Sequence, residues 1–305
     1  MGDSIILVLD QLANSHIIAV DSKTGKKRWL VERSESHAWS TPVVFQPSGS
    51  VEPLVLTASS GQLAGHRISD GQRVFSHLGL PAGIIASPTL AGNTVFAFGY
   101  SLSEPPWADK LTQLDKNQDQ RLSVDEYGTS SVLVAIAHYL GNRDGIVTED
   151  EWKTWSAHVM GGTHLLAVQV TQPSTSPSEA ITSRDVWKHD RGYTSVVPSP
   201  LAYDGILYVI KNGGILTAFD MMTGEVVKMG RVPGAIGGYS ASPVAAEGKV
   251  FLANEDGQVA VLKAAREWEP LAVNDLGEGV YATPALSDGR VYIRTTDALY
   301  AFGAR

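Results

Sequence analysis

Cysteine is absent from this 305-residue sequence. Its absence excludes disulfide bonds, thiolate metal sites and cysteine nucleophiles. A chain of this length can bury a core without disulfides, and 43% of its residues are hydrophobic. The missing cysteines therefore do not identify the compartment.

Long apolar segments and an excess of basic residues are also missing. No stretch approaches the roughly 20 apolar residues that a membrane-spanning helix needs, so we predict no membrane span. The formal net charge is −8, whereas a nucleic-acid-binding surface should be basic, so we predict no nucleic-acid partner. The first residues, MGDSIILVLDQL, lack the charged leader and cleavage site of a signal peptide.

A Ser/Thr-Pro pair recurs along the chain and marks a repeat. Its copies are Thr41-Pro42, Ser87-Pro88, Ser199-Pro200, Ser242-Pro243 and Thr283-Pro284. Each copy precedes a short apolar run, and in the last four a turn and a second strand-like segment follow. Asp204-Gly205 and Asp288-Gly289 suit a tight hairpin turn, because both central residues tolerate positive φ.

A third strand-like segment of the repeat ends in a compact turn. The clearest copies are IIAVDSKTGKKRW, ending at Trp29, and LTAFDMMTGEVVK, ending at Lys228. Asp and Thr side chains bond nearby backbone amides, while Gly25 and Gly224 supply the left-handed conformation. Trp29 then begins a fourth strand-like segment.

Four strands per unit, at a period of about 40–45 residues, predict an all-β fold built as a β-propeller. A β-sandwich with coincidental Ser-Pro pairs is the alternative, and five in-phase copies argue against it. We count about five to six four-stranded blades, the first of which begins partway through.

The pattern Ala19, Asp21, Thr24, Gly25, Trp29 resembles the tryptophan-docking repeat of PQQ-like propellers, the quinoprotein-type family that includes BamB-like proteins. SHAWSTPVV and the C-terminal VYIRTTDALYAF are similar to the same group. The resemblance implies seven or eight blades, so we expect this chain to be an N-terminally shortened form of a longer protein. It also implies a periplasmic or extracellular location for the full-length form.

An insert interrupts the repeat. The interval between Pro88 and Pro200 is 112 residues, whereas the other Pro-to-Pro intervals are 46, 43 and 41. About 70 extra residues therefore lie within one blade. We predict three regions: propeller blades in residues 1–102, a small α-helical EF-hand insert in 103–161, and further blades in 162–305.

Within the insert, LDKNQDQRLSVDEY matches the spacing of an EF-hand calcium loop. The predicted ligands at positions 1, 3, 5, 7, 9 and 12 are Asp115, Asn117, Asp119, the carbonyl of Arg121, Ser123 and Glu126. Calcium needs six to eight oxygen ligands, and this spacing wraps them around one point. Gln120 departs from the usual glycine at position 6, which should weaken the site.

A second, degenerate copy spans residues 140–151. Its weaker candidate ligands are Asn142, Asp144, Ile146, Thr148 and Glu151. Leu140 replaces the carboxylate of position 1, so we expect pairing with the first loop and little calcium binding. The loops begin 25 residues apart, and the helix between them, near residues 132–139, should be compressed. An acidic solvated loop is the alternative, but two tandem copies favour calcium as the cofactor.

Six residues beside the Ser/Thr-Pro strands or in inner strands form a candidate site in the central funnel for a ligand or a partner. They are Arg33, His37, Trp39, Tyr239, Tyr281 and Arg294. Packing between blades is the alternative for Trp39 and Tyr281.

Two functions remain open on the sequence. The first is a non-catalytic binding or scaffold propeller in the cell envelope, with a protein or peptide partner and a calcium-binding insert. The alternative is a PQQ-dependent or related propeller oxidoreductase. Such enzymes typically carry adjacent cysteines, which this chain lacks, and no HExxH, GxSxG or P-loop motif is present. We therefore assign no catalytic residue and do not expect PQQ as a cofactor.

Overall fold

The computed structural model describes residues 3–11, 14–35, 38–50, 52–101, 104–159, 165–172, 180–190 and 197–303. Within these ranges the strands form six antiparallel sheets, which follow one another in chain order. The predicted all-β class with four-stranded units is confirmed, because four of the six sheets have four strands.

The first three sheets occupy the N-terminal part and one segment beyond the helices. The first consists of β1 (Ser4–Leu9), β2 (His16–Asp21) and β3 (Lys27–Glu32); the second of β4 (Val43–Phe45), β5 (Leu54–Ser59), β6 (Gln62–Arg67) and β7 (Arg73–Leu78); the third of β8 (Thr89–Ala91), β9 (Thr94–Phe98), β10 (Leu165–Thr171) and β11 (Thr182–His189).

The other three sheets are continuous in sequence. The fourth consists of β12 (Leu201–Tyr203), β13 (Ile206–Lys211), β14 (Ile215–Asp220) and β15 (Val226–Arg231); the fifth of β16 (Val244–Ala246), β17 (Lys249–Ala253), β18 (Gln258–Lys263) and β19 (Glu269–Asp275); the sixth of β20 (Ala285–Ser287), β21 (Arg290–Arg294) and β22 (Leu299–Gly303).

The helices all lie between β9 and β10. They are α1 (Trp107–Leu114), α2 (Val124–Tyr127), α3 (Ser131–Ala135), continued by a π-helical turn (Ile136–Leu140), and α4 (Glu149–Val159). The predicted insert bounds, Ser103 and Gly161, lie outside the described residues. No helix in the described ranges is long and apolar enough to cross a membrane.

The Ser/Thr-Pro pairs form a belt of hydrogen bonds that links five sheets. The backbone N–H of Thr41 donates to Ser87 Oγ (3.2 Å), and that of Ser87 donates to Ser199 Oγ (2.9 Å). The N–H of Ser199 donates to Ser242 Oγ (2.9 Å), and that of Ser242 to Thr283 Oγ1 (3.0 Å). The hydroxyls of four of the five pairs thus each accept an amide of the preceding sheet, which explains the Ser or Thr before proline at Ser87, Ser199, Ser242 and Thr283.

The core consists of apolar layers between neighbouring sheets, as expected where two-sided sheets pack face to face. One layer joins the second and third sheets and includes Leu56, Leu63, Val95 and Val168. Another joins the third and fourth sheets through Phe96, Phe98, Leu207 and Phe219. The fourth and fifth sheets share a third layer. This sheet-on-sheet order in sequence is consistent with a propeller-like fold.

Candidate metal centre

The helical segment has a hydrophobic core of its own. Its buried members, Trp107, Leu122, Tyr127, Leu133, Ile136, Ala137, Val147 and Trp152, all come from residues 107–152. Two loops, 115–126 and 140–151, each connect a helix to the next. Leu122 and Val147, position 8 of the two loops, form an antiparallel bridge with N–H to carbonyl distances of 2.9 Å in both directions.

Glu126 closes the first loop onto itself. The N–H and hydroxyl of Ser123 both donate to its Oε2, at 2.9 and 2.8 Å, and the Lys116 N–H donates to its Oε1 at 3.0 Å. The hydrogen bond from the Ser123 N–H holds the pKa of the Glu126 carboxyl below its ordinary value. The side chain is therefore kept ionised at the end of the loop.

The start of the loop has an unpaired carboxylate oxygen. The Gln120 N–H donates to Asp115 Oδ2 at 3.0 Å, and Gln120 has the positive φ (64°) of position 6. The other oxygen, Asp115 Oδ1, is buried and has no hydrogen-bond partner among the residues that the structure describes. A buried carboxylate oxygen without a partner is costly unless a cation or a donor occupies the space before it.

The middle of the loop is shaped by Asx-type bonds. The Asp119 N–H donates to Asn117 Oδ1 and the Arg121 N–H donates to Asp119 Oδ1, both at 2.9 Å. No cluster of three or more His, Asp or Glu side chains in the described ranges would by itself hold a metal ion. The fit to calcium therefore depends on the mixed set of carboxylate, amide and backbone oxygens that EF-hand loops use.

The second loop repeats these bonds except at its first two positions. Glu151 accepts the N–H groups of Asn142 (2.9 Å) and Thr148 (3.0 Å), and the Ile146 N–H donates to Asp144 Oδ1 (2.8 Å). The position-6 N–H, from Gly145, instead donates to the Ala137 carbonyl at 3.1 Å. A backbone group thus takes the role that the Asp115 carboxylate has in the first loop.

Tyr127 connects the two loops. Its hydroxyl donates to the Gly145 carbonyl at 2.9 Å and lies 3.0 Å from His138 Nε2. Tyr127 directly follows Glu126 of the first loop, while Gly145 is position 6 of the second. Between the two loops, α3 continues directly into the π-helical turn at Ile136–Leu140.

The candidate funnel residues do not share one environment. His37 lies outside the described residues. Tyr239 is buried between the fourth and fifth sheets, where its hydroxyl donates to the Ala235 carbonyl at 2.7 Å and burial raises its pKa. Trp39 and Tyr281 are 61% and 58% exposed, and Arg294 is also exposed. Tyr239 is thus an interior packing residue, whereas the Trp39 and Tyr281 side chains are mostly exposed.

Arg33 is the centre of a buried polar network that the sequence did not reveal. Its guanidinium binds both oxygens of Asp10 (2.7 and 3.1 Å) and donates to Ser59 Oγ (2.7 Å) and His66 Nε2 (2.9 Å). The Arg33 and Asp10 side chains are almost fully buried. Arg33 therefore joins the first and second sheets and is not available to a funnel ligand.

Comparison with known proteins finds a family match in the C-terminal part of the chain. Residues 155–304 match the family model described as "Outer membrane protein assembly factor BamB". No curated protein matches. The crystal structure of BamB from Moraxella catarrhalis is similar over 98% of this chain and 81% of that chain, with 14% sequence identity and a TM-score of 0.44.

The family match agrees with the geometry of the sheets. The matched residues include the fourth, fifth and sixth sheets, whose inner strands all follow a Ser/Thr-Pro pair. The match and the four-stranded antiparallel sheets together support a PQQ-like propeller.

Proposed function

We propose that this chain is a non-catalytic propeller that binds protein or peptide partners in the cell envelope, and that its helical insert binds one calcium ion. The description of the matching family names an outer membrane assembly factor, which supports a periplasmic or extracellular location. A weak calcium site also suits such a location, because only there does calcium reach the millimolar range that weak loops need.

The buried, unpaired oxygen of Asp115 carries the calcium proposal. Around it, Asp119 and Glu126 would supply further carboxylates, Asn117 an amide oxygen, Arg121 its carbonyl, and Ser123 its hydroxyl or a bound water. Calcium would neutralise part of the charge that these carboxylates bring together. The ion would also tie the end of α1 to the start of α2, since Asp115 and Glu126 lie at these two ends.

The second loop is proposed as a structural partner. It has the same closing glutamate, Glu151, but no carboxylate at position 1, and the Ala137 carbonyl already satisfies its position-6 amide. It therefore holds its shape without an ion. Its bridge through Val147 to Leu122 would steady the binding loop.

Isothermal titration with calcium tests this proposal. We expect a stoichiometry near one and a dissociation constant of about 10⁻⁴ M or weaker, the range of extracellular modules. Glu126→Gln should remove most of the binding, since it takes a charged bidentate ligand away. Glu151→Gln is the matched control, because it makes the same change in the same position of the second loop, and it should have little effect.

Two results would contradict the ranking of the loops. One is a stoichiometry of two, and the other is an equal loss of binding in both variants. If the chain has native circular dichroism but releases or absorbs no heat on titration with calcium, the proposal of calcium binding itself is wrong.

The partner surface is proposed at the end of the sheets where the belt residues lie. Trp39 and Tyr281 each precede a belt threonine by two residues, Thr41 and Thr283 respectively, and both rings are mostly exposed. Arg294 adds an exposed cation on the sixth sheet. Exposed aromatic and arginine side chains are the types enriched where proteins bind each other.

A further inference from the structure

A histidine, a serine and an aspartate meet where the outer strands of the second and third sheets lie side by side. His77 belongs to β7, and Ser183 and Asp185 belong to β11. Because Ser183 and Asp185 are two residues apart on one strand, their side chains point to the same face of the sheet. That face is turned toward β7, since the His77 ring contacts both side chains.

The two nitrogens of the His77 ring each have one of these partners. Nε2 lies 2.7 Å from Asp185 Oδ1, and Nδ1 lies 3.1 Å from Ser183 Oγ. An ionised carboxylate can only accept hydrogen bonds, so Nε2 carries the ring proton. In the neutral ring Nδ1 is then the acceptor, and the Ser183 hydroxyl donates to it. The carboxylate thus directs the basic nitrogen of the histidine at the serine.

The exposure of the three side chains suits a reaction at the serine. The His77 side chain is 12% exposed, so packing holds the ring in place, while that of Asp185 is 48% exposed. Ser183 is half-buried, so a small reagent can reach its hydroxyl. A nucleophile, a base and a group that orients the base, in this order, are the arrangement that activates serine on several unrelated folds.

The backbone amide of Ser183 points to the outer edge of the third sheet. The Val170 N–H donates to the Asn93 carbonyl at 2.9 Å, on the β9 side of β10. Hydrogen bonds along a strand alternate between its two neighbours, so Val170, the partner of Ser183 in the β10–β11 pair, does not bond β11. The Ser183 N–H therefore faces away from β10. In serine proteases the amide of the nucleophile is one of the donors that stabilise the oxyanion.

We propose that Ser183 is a covalent modification site for activated acyl donors, such as aryl esters and thioesters. His77 acts as the general base, and Asp185 is the positioning residue that fixes its tautomer. The Ser183 oxygen bonds to the acyl carbon while His77 Nδ1 takes the hydroxyl proton. The bond from the acyl carbon to the leaving oxygen or sulfur then breaks, and the leaving group departs with that electron pair and receives the proton.

The reaction should stop at the acylated serine. An activated donor has a good leaving group, whereas release of the acyl group by water must expel the alkoxide of Ser183, which is a poor leaving group. The acylated form therefore accumulates. A long-lived ester on Ser183 agrees with the proposed non-catalytic role of the chain, since each molecule is modified once.

Reaction of the chain with 4-nitrophenyl acetate tests the proposal. We expect a burst of 4-nitrophenolate of about one equivalent per chain, as for an acylated serine that accumulates. Tandem mass spectrometry should place the acetyl group on Ser183. Ser76 is an internal control, because it precedes His77 on β7 and is exposed, but its hydroxyl donates to Gln62. It should stay unmodified.

Four variants separate an activated serine from one that is only exposed. Ser183→Ala should remove the burst, and His77→Gln should slow acetylation of Ser183 by about a hundredfold, the lower end of what a general base contributes. Asp185→Asn should slow it by about tenfold, because an amide can offer Nε2 either its oxygen or its NH2 group and no longer fixes the tautomer. Asp185→Glu keeps the carboxylate and should retain most of the rate.

The tautomer of His77 is a readout that a structural contact alone would not move. Nitrogen-15 chemical shifts of the ring, assigned by their loss in His77→Gln, should place the proton on Nε2 in the unsubstituted chain. In Asp185→Asn part of the proton should move to Nδ1.

Three results would overturn the proposal. They are acetylation of the unsubstituted chain at other side chains but not at Ser183, a burst that survives Ser183→Ala, and an unchanged rate at Ser183 in His77→Gln. The first result needs no variant, so the test remains valid where a substitution prevents folding. None of these measurements involves calcium, so their failure is distinct from a failure of the calcium proposal.

Discussion

At the scale of single residues, the hydroxyl before four of the five repeat prolines accepts a hydrogen bond from the preceding sheet. Ser199 shows it most fully, because its Oγ accepts the Ser87 N–H and its own N–H donates to Ser242 Oγ. Apolar packing alone would not require a hydroxyl at this position. At each of these positions the Ser or Thr hydroxyl therefore joins its own sheet to the backbone of the preceding one.

Removing one hydroxyl should leave one amide unpaired. We expect Ser199→Ala to lower the free energy of unfolding by about 1–3 kcal/mol, because the half-buried Ser87 N–H loses its acceptor. Ser199→Thr is the matched control and should be nearly neutral, since threonine has the same role at Thr283. Urea denaturation measures both. Equal stability of the alanine and threonine variants would show that the belt does not contribute.

At the scale of elements, the joint between the first and second sheets depends on a neutral histidine. His66 Nδ1 donates to the Gly71 carbonyl at 3.0 Å, so Nε2 is left as the acceptor of the Arg33 guanidinium at 2.9 Å. Protonation of Nε2 would place two donors against each other. Burial lowers the pKa of His66 below its ordinary value, and the Arg33 and Arg73 charges act in the same direction, whereas the Gly71 bond and Glu35 oppose the shift.

This joint predicts a pH dependence of stability. Because the pKa of His66 is lower in the folded than in the unfolded state, its contribution is fully present above the unfolded pKa of about 6.5. It is lost as the pH falls from that value through the folded pKa. His66→Gln retains an acceptor and a donor without titrating. The stability advantage of the unsubstituted chain over His66→Gln should therefore shrink between pH 7 and pH 5, as measured by urea unfolding.

The charged residues Asp10, Glu35 and Arg73 also lie at this contact between the first and second sheets. They are present in both the unsubstituted chain and His66→Gln, so the comparison isolates His66. If the difference in unfolding free energy between the unsubstituted chain and His66→Gln stays constant with pH, the pKa of His66 does not change on folding.

At the scale of the whole molecule, the helical segment and the sheets have separate cores. All buried residues of the helical core come from residues 107–152, while the adjoining strand residues Phe98 and Leu165 are directly opposed in an antiparallel pair. The segment thus emerges from a hairpin whose two strands are already held together. The cost of lengthening such a loop grows only slowly with its length.

Excision of residues 103–161, with a short Gly/Ser linker between the ends, should therefore leave the β-sheets intact. We expect the far-ultraviolet circular dichroism to keep its β character and to lose its helical part. Calcium binding should disappear with the segment. Wholesale loss of the β signal would show that the segment is integral to the propeller core.

What the sequence determined by itself was local. The strand starts after each Ser/Thr-Pro pair, the positive-φ turns at Asp204-Gly205 and Asp288-Gly289, and the position of the insert all follow from residues close together in the chain. The candidate calcium ligands of the 115–126 loop are likewise predicted from spacing alone, because one short loop contains them all.

Only the tertiary structure decided which of these residues meet. Arg33 was predicted to line the funnel, yet its partners Ser59 and His66 stand 26 and 33 residues away, on strands of another sheet. Tyr239 was predicted to line the funnel as well, yet it is buried in the layer between the fourth and fifth sheets, whose residues are distant in the chain. The turns that end at Gly25 and Gly224 share the pattern Asp-x-x-Thr-Gly, yet of these two glycines only Gly224 has a tryptophan ring over it, that of Trp187 from the third sheet. The residue spacing within a turn does not record which sheet packs against it, because that contact depends on residues far away in the chain.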